Sequence, residues 1–273
     1  MRVFITGHTG FIGSNIVSKF AGKYYFFFYY RYGSIVKDLE YFKPDVIINC
    51  AAEIYDNEKM WESNVVLVQN ILSYLKQNLQ VKFIQLGSSS EYGKLDRASK
   101  ETDPVKPLDS YSTTKSIATL LCQNEARVYN LKTVIVRPYS PFGVGEKPHR
   151  LFPKLIKSFV YNEPMDLTNG IHDFCYIDDF LEGLKLVIEN ENEPGEIVNI
   201  SSGVETTNKE VYDLFVEITG NRNPPVTLLD KFVTYSKWQC DNNHIKTKYG
   251  WKCNFTLREG IEAMISKFNY ERT

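Results

Sequence analysis

Tyr111 and Lys115 are the residues of this chain whose types and spacing best suit them to chemistry. Four apart on a helix, they share one face. A free tyrosine has a pKa of about 10 and is a poor base at neutral pH; lowering it by about three units takes roughly 4 kcal/mol of phenolate stabilisation. A neighbouring ammonium and a cationic ring on a bound cofactor could supply it. Upstream, Leu86-Gly-Ser-Ser-Ser-Glu-Tyr-Gly93 runs from a strand-like stretch into a polar tip, where a serine could hydrogen-bond the same hydroxyl that Tyr111 deprotonates.

The N-terminus reads MRVFITGHTGFIG. Val3–Ile5 is an apolar run of the kind a buried parallel strand shows. Gly7, Gly10 and Gly13 interrupt it, and Ile12, Ile16, Val17 and Phe20 then return at helical spacing. Strand, glycine turn and helix form a dinucleotide-binding arrangement, with the diphosphate on the helix N-terminus, although the spacing is GxxGxxG rather than GxGxxG. Gly7, Thr9, Gly10, Phe11, Ile12 and Gly13 are the expected cofactor contacts. At the end of the second strand, Tyr30-Arg31-Tyr32-Gly33-Ser34 lacks the acid that binds the ribose of NAD, and Arg31 could hold a 2′-phosphate, so NADP is expected and NAD is the alternative.

The elements that must position these groups alternate. Strand-like runs at Val3–Thr6, Tyr24–Tyr30, Asp45–Asn49, Lys82–Leu86 and Thr133–Val136 are separated by helical patterns at Gly13–Phe20, Trp61–Lys76 and Tyr111–Tyr129. This predicts an α/β fold, a doubly wound (Rossmann) parallel sheet that binds ligands at the carboxyl ends of its strands. After about Gly143 prolines and short strands take over, and Asp178–Glu189 reads as a helix returning to the large domain. The expected division is 1–145 plus about 171–200 for the dinucleotide domain, and about 146–170 plus 201–273 for a smaller C-terminal substrate-binding lobe.

Composition narrows the partners. At 273 residues, 43% hydrophobic and 24% charged with a net charge of -1, the chain is that of an ordinary globular protein with no nucleic-acid partner. Cys50, Cys122, Cys175, Cys240 and Cys253 form no CxxC pair, which predicts a reduced cytoplasmic protein with neither disulfide framework nor metal site. No signal peptide is expected, because the chain begins on a core strand. Tyr24–Tyr32 (YYFFFYYRY) is too short for a membrane span and reads as a buried aromatic strand.

Five segments in order carry a resemblance to the extended short-chain dehydrogenases/reductases that act on nucleotide sugars: TGHTGFIG at 6–13, DVIINCAA at 45–52, GSSSEYG at 87–93, YSTTK at 111–115 and RPYSPFG at 137–143. HDFCYIDDF at 172–180 and NISSG at 199–203 are similar to its substrate-lobe signature. The resemblance implies Tyr111, Lys115 and a serine, Ser88 or Ser89, beside a nicotinamide. Ala51 and Ala52 would line the cofactor, and Ser90, Asn64, Tyr139, Arg150 and His172 the nucleotide-diphosphate sugar. Asn64 matches the asparagine that supports this site. Arg137, Arg150 and Lys154 are candidate diphosphate contacts, and a homodimer through the helices 61–76 and 111–129 is implied. The segment between Arg31 and Asp45 is short, missing a helix-strand insert that many NAD-dependent relatives carry.

Oxidation at C4 of a hexose would then open three outcomes. Loss of the C6 hydroxyl, needing the Glu91 and Cys175 pair, makes a 4,6-dehydratase (a lyase), the expectation preferred here. Return of hydride to the other face makes a 4-epimerase. The reductive half alone, with NADPH, makes a 4-ketoreductase. Outside the enzymes, an NADP-binding regulatory protein of the same fold is the remaining alternative.

Overall fold

The computed structural model describes residues 1–31, 33–232 and 237–270, so Tyr32, last of the aromatic run, lies outside the described residues. β1 (Arg2–Thr6), α1 (Phe11–Lys19), β2 (Tyr25–Phe28), α2 (Ile35–Phe42) and β3 (Val46–Asn49) open the chain. A continuous helical run follows: α3 (Asn57–Trp61), one π-helical turn (Glu62–Val66) and α4 (Leu67–Leu75). Next come β4 (Lys82–Leu86), a 3-10 turn (Ser89–Tyr92), α5 (Ser110–Tyr129) and β5 (Thr133–Pro138). β6 (Ser140–Phe142), α6 (Leu151–Tyr161), β7 (Met165–Asn169), β8 (Ile171–Tyr176), α7 (Ile177–Glu189), β9 (Glu196–Ile200), β10 (Glu205–Thr207), α8 (Asn208–Thr219), β11 (Val226–Phe232), α9 (Asn243–Tyr249) and α10 (Leu257–Tyr270) complete it.

Six strands form a parallel sheet in the order β2-β1-β3-β4-β5-β9. Because side chains alternate along a strand, Val3, Ile5, Val46, Ile48, Ile84 and Val134 join the core cluster shared with α1 and α7. Phe4, Ile47, Phe83 and Ile135 join the opposite cluster under α2, α4 and α5. Both faces are covered, as the apolar runs predict. On the second face the row Phe4, Ile47, Phe83 gives way two residues later to Thr6, Asn49 and Gln85, all buried. The sheet therefore turns polar at its carboxyl edge.

Three expectations need correction. β2 is the edge of this sheet, and its Tyr25 is 68% exposed, so the aromatic run is not buried on both sides. It is steadied by ring contacts: Phe27 stacks on Phe4, and Tyr25 on Phe42 of α2. Between β2 and β3 the described residues form a helix, α2, and no strand, so the segment is not without a helix. Finally, residues 171–176 do not belong to the large sheet: β8 pairs with β6 and β10 in a separate three-stranded sheet, while α7 and β9 return to the large one. β11 and β7 pair in parallel beside α8.

Candidate active site

The glycine turn fits a dinucleotide diphosphate. Gly7 has φ +65, and a Cβ there would lie 2.5 Å from the Ala51 nitrogen. A Cβ on Gly13 would run into the Gly7 carbonyl oxygen. Gly10 caps α1 with no side-chain hydrogen bond, which leaves the first N–H groups and the helix dipole to an anion. Thr9 is exposed, and Phe11 and Ile12 are half-buried at the helix start. Beside the turn, the Ala51 N–H donates to Thr6 Oγ1. Thr6 donates to Asn49, Asn49 to Gln85 (2.8 Å) and Gln85 to the Leu86 carbonyl (2.9 Å). This buried chain satisfies each polar group at the carboxyl edge.

Lys115 ends on the same carbonyl. Its Nζ donates to Leu86 O at 2.8 Å and lies 6.0 Å from the centre of the Tyr111 ring. Burial pushes the ammonium down to about 8, with the Glu91 carboxylate acting in the opposite direction. Tyr111 is pushed up to about 12, first by burial; an interaction with the Ser88 hydroxyl lowers it, and Glu91 raises it. Ser88 is thus the serine that faces the Tyr111 hydroxyl, while Ser89 is buried and Ser90 Oγ is 2.8 Å from Ser88 Oγ. The head of α5 is fixed by a capping box in which Asp109 accepts the Ser112 N–H at 2.7 Å.

Glu91 is not at the tip's surface. It is fully buried, its Oε1 accepts the Ser88 N–H at 2.7 Å, and its Oε2 accepts Nε and Nη2 of the equally buried Arg137. Arg137 also stacks over the Tyr92 ring. The pair anchors the serine tip to β5, so Glu91 is no free acid/base and Arg137 no diphosphate contact. Cys175 is likewise buried among core residues of β8, against Cys253, with its thiol pushed well up first by that contact and then by burial. All five cysteines are free.

Asn64 is held from every side: its amide donates to Thr114 Oγ1 and to the Glu53 carbonyl, and its oxygen accepts the Glu53 N–H. It positions loop 53–56 against α5 rather than facing a substrate. Tyr139 is tied to Ser99. Arg150 and His172 do converge, lining a cavity of about 170 Å³ with Ser140, Glu146 and His149. Burial and the nearby Arg150 push His172 down to about 4, while burial pushes Glu146 up to about 7 against the opposing pull of Arg150. One Glu146 oxygen is buried with no partner. Glu146 and His149 escaped sequence reasoning because proline-rich loops carry no periodicity; Gln85 escaped because it interrupts an apolar run that already reads as a strand. Lys154 is exposed on α6.

A doubly wound sheet with a glycine-turn cradle and a Tyr–Lys pair at its carboxyl edge defines a dinucleotide-dependent enzyme of the short-chain dehydrogenase/reductase type. The family model for the NAD dependent epimerase/dehydratase family matches residues 3–201, and the chain belongs to that family. It is 27% identical over 235 residues to the low-salt glycan biosynthesis protein Agl12 of Haloferax volcanii, covering 82% of this chain and 75% of that protein. It is 25% identical to a probable dTDP-glucose 4,6-dehydratase of Sinorhizobium fredii, over 85% of this chain and 74% of that one. Among solved structures, the fold matches dTDP-glucose 4,6-dehydratase from Bacillus anthracis in complex with NAD (TM-score 0.88, 20% identity, 99% and 97% covered). It also matches UDP-glucuronic acid 4-epimerase from Bacillus cereus in complex with UDP-glucuronic acid and NAD (TM-score 0.88, 22% identity, 99% and 100% covered).

Proposed function

We propose that this enzyme oxidises or reduces C4 of the hexose in a nucleotide-diphosphate sugar. Tyr111 exchanges a proton with the C4 oxygen, Ser88 hydrogen-bonds that oxygen, and Lys115, on the same helix face, stabilises the phenolate. A bound nicotinamide would supply or accept the hydride. Arg150 at the head of α6 and His172 on β8 line the cavity that would take the far end of the substrate; Arg150 brings the charge for a diphosphate, and His172, neutral at pH 7, a hydrogen-bonding ring.

The observation that carries the reading beyond the family is the Glu91–Arg137 ion pair. Dehydration across C5 and C6 demands an acid/base pair there, and the two residues expected to form it are both built into the core. The geometry therefore favours 4-epimerisation or 4-keto reduction. 4,6-Dehydration stays as the second reading because relatives such as the probable dTDP-glucose 4,6-dehydratase carry that name. Arg31, three residues beyond β2, supports NADP, and the NAD-bound neighbours support NAD.

A homodimer belongs to the same reading: Trp61 and Leu120 of α5 are 53% and 52% exposed on the helices expected to pair. So does a cytoplasmic location, on the free cysteines. No described helix is long and apolar enough to cross a membrane.

The test is mass spectrometry of products from a panel of nucleotide hexoses, without cofactor and then with NADPH, and of 4-keto sugars with NADPH. An unchanged mass at a new retention time identifies an epimerase, and a gain of two hydrogens from a 4-keto sugar identifies a reductase. A product lighter by one water refutes the preference for C4 chemistry alone. No turnover of any nucleotide sugar, with dinucleotide still bound, would favour the regulatory alternative.

A further inference from the structure

The π-helical turn Glu62–Val66 interrupts an otherwise regular helix. Such turns are rare and frequently occur at functional sites. Here two consecutive buried side chains reach in two directions, one toward α5 and one toward the segment after β2. Asn64 holds loop 53–56 and Thr114, one residue from Lys115. Ser63, 4% exposed, accepts a hydrogen bond from Nη2 of Arg31, just beyond β2. Arg31 and Ser63 line a cavity of about 330 Å³ with Tyr29, Ser34, Glu62 and Asn70. In this fold the carboxyl end of the second strand is where the adenosine ribose lies. Among the described residues Arg31 forms no ion pair, and a neutral hydroxyl holds its guanidinium.

We propose that Ser63 is a positioning residue for cofactor choice. It seats the Arg31 guanidinium in this cavity to receive the 2′-phosphate of NADP(H), so selecting it over NAD(H). The proposal rests on the reading of the glycine turn as a dinucleotide site. An arginine already seated gives up less side-chain freedom when phosphate arrives than one free in solvent. Glu62 in the same cavity works against it, since a carboxylate repels phosphate but suits ribose hydroxyls.

Fluorescence titration of the whole protein with NADPH and with NADH tests this without turnover. The wild type is expected to bind NADPH more tightly. Arg31→Ala should weaken NADPH by roughly tenfold to a hundredfold, the strength of a charge-assisted hydrogen bond, and leave NADH within about twofold. Ser63→Ala should lose about threefold to tenfold of the NADPH preference, and Ser63→Thr, which keeps the hydroxyl, should recover it. Equal weakening of both dinucleotides in Ser63→Ala would make Ser63 merely structural and overturn the proposal. So would a wild-type preference for NADH that Glu62→Gln abolishes, which leaves the proposed enzyme function standing. Failure of both dinucleotides to bind the wild type would overturn the dinucleotide site, and the function with it.

Discussion

Replacing Lys115 with methionine should stabilise the cofactor-free protein while abolishing its activity. The ammonium is pushed from its ordinary 10.5 down to about 8 by burial, because the folded chain solvates the charge poorly. A descent of that size corresponds to about 3 kcal/mol of folding free energy lost at neutral pH. Methionine removes the penalty at nearly constant volume. It also removes the bond to Leu86 O, worth about 1 kcal/mol, but that carbonyl keeps the Gln85 amide as its donor. The net expectation is a gain of about 2 kcal/mol at pH 7. The sign with pH is fixed by proton counts: between about 8 and 10.5 the unfolded wild type holds a proton at Lys115 that the folded one has lost, so wild-type stability rises through that window. The variant has no such term. Its advantage should be complete below pH 8 and fade toward pH 10.5. Urea unfolding of both proteins across that range reads the difference. A variant less stable than wild type at pH 7, or an advantage that ignores pH, would refute the claim that Lys115 is held at the cost of stability.

Tyr111→Phe should cut turnover by at least about a hundredfold while leaving dinucleotide affinity within about twofold, measured by steady-state kinetics and titration. Glu91→Gln strands Arg137 as a buried cation and should cost about 3–5 kcal/mol, read as a lowered unfolding midpoint; a fully stable but inactive variant would return Glu91 to the chemistry. Gly13→Ala drives a methyl into the Gly7 carbonyl and should weaken dinucleotide binding by at least about tenfold, whereas Ala at Gly10, where the nearest atom would lie at 3.3 Å, should cost far less.

The sheet was legible because its strands are apolar on both faces: Val3–Ile5, Ile47 and Ile48, Phe83 and Ile84 read as strands in any context. The glycine turn and the Tyr111–Lys115 spacing were legible because local geometry alone sets them. What failed were inferences about direction. A four-residue motif says that Glu91 follows three serines, not which way its side chain points; a buried arginine 46 residues later decides that, and nothing local announces it. The aromatic run at Tyr24–Tyr30 has the composition of an interior strand, yet it lies at the edge because the described residues between β2 and β3 add a helix, α2, and no strand that could pair beyond it. α2 itself, at Ile35–Phe42, was overlooked although Ile35, Leu39 and Phe42 fall at i, i+4 and i+7 and are its buried face. The π-helical turn was not legible either, because Trp61–Lys76 has the periodicity of a plain helix.

The Glu91–Arg137 pair also fixes the serine tip beside Tyr111, the proposed base. By accepting the Ser88 N–H while Ser88 Oγ accepts the Ser90 N–H, the tip locks Ser88 in an extended conformation facing Tyr111. Burial pushes Tyr111 up to about 12; the Ser88 hydroxyl opposes this and the Glu91 carboxylate adds to it. At neutral pH Tyr111 then holds its proton, and Lys115, at about 8, is still mostly charged. Lys115 already carries the charge the proposed role asks of it, but Tyr111 does not reach the phenolate that oxidation of a C4 hydroxyl would require until more positive charge enters the site. A cationic nicotinamide is such a charge, and it would favour the phenolate. Reduction of a 4-keto sugar makes the opposite demand, a protonated Tyr111 that donates, and the resting site already meets it. In the proposed chemistry the rate of 4-keto reduction should therefore stay level across neutral pH, where Tyr111 is protonated, while the rate of C4 oxidation should rise with pH; a reduction rate that falls between about pH 6 and 8 would refute Tyr111 as the proton donor.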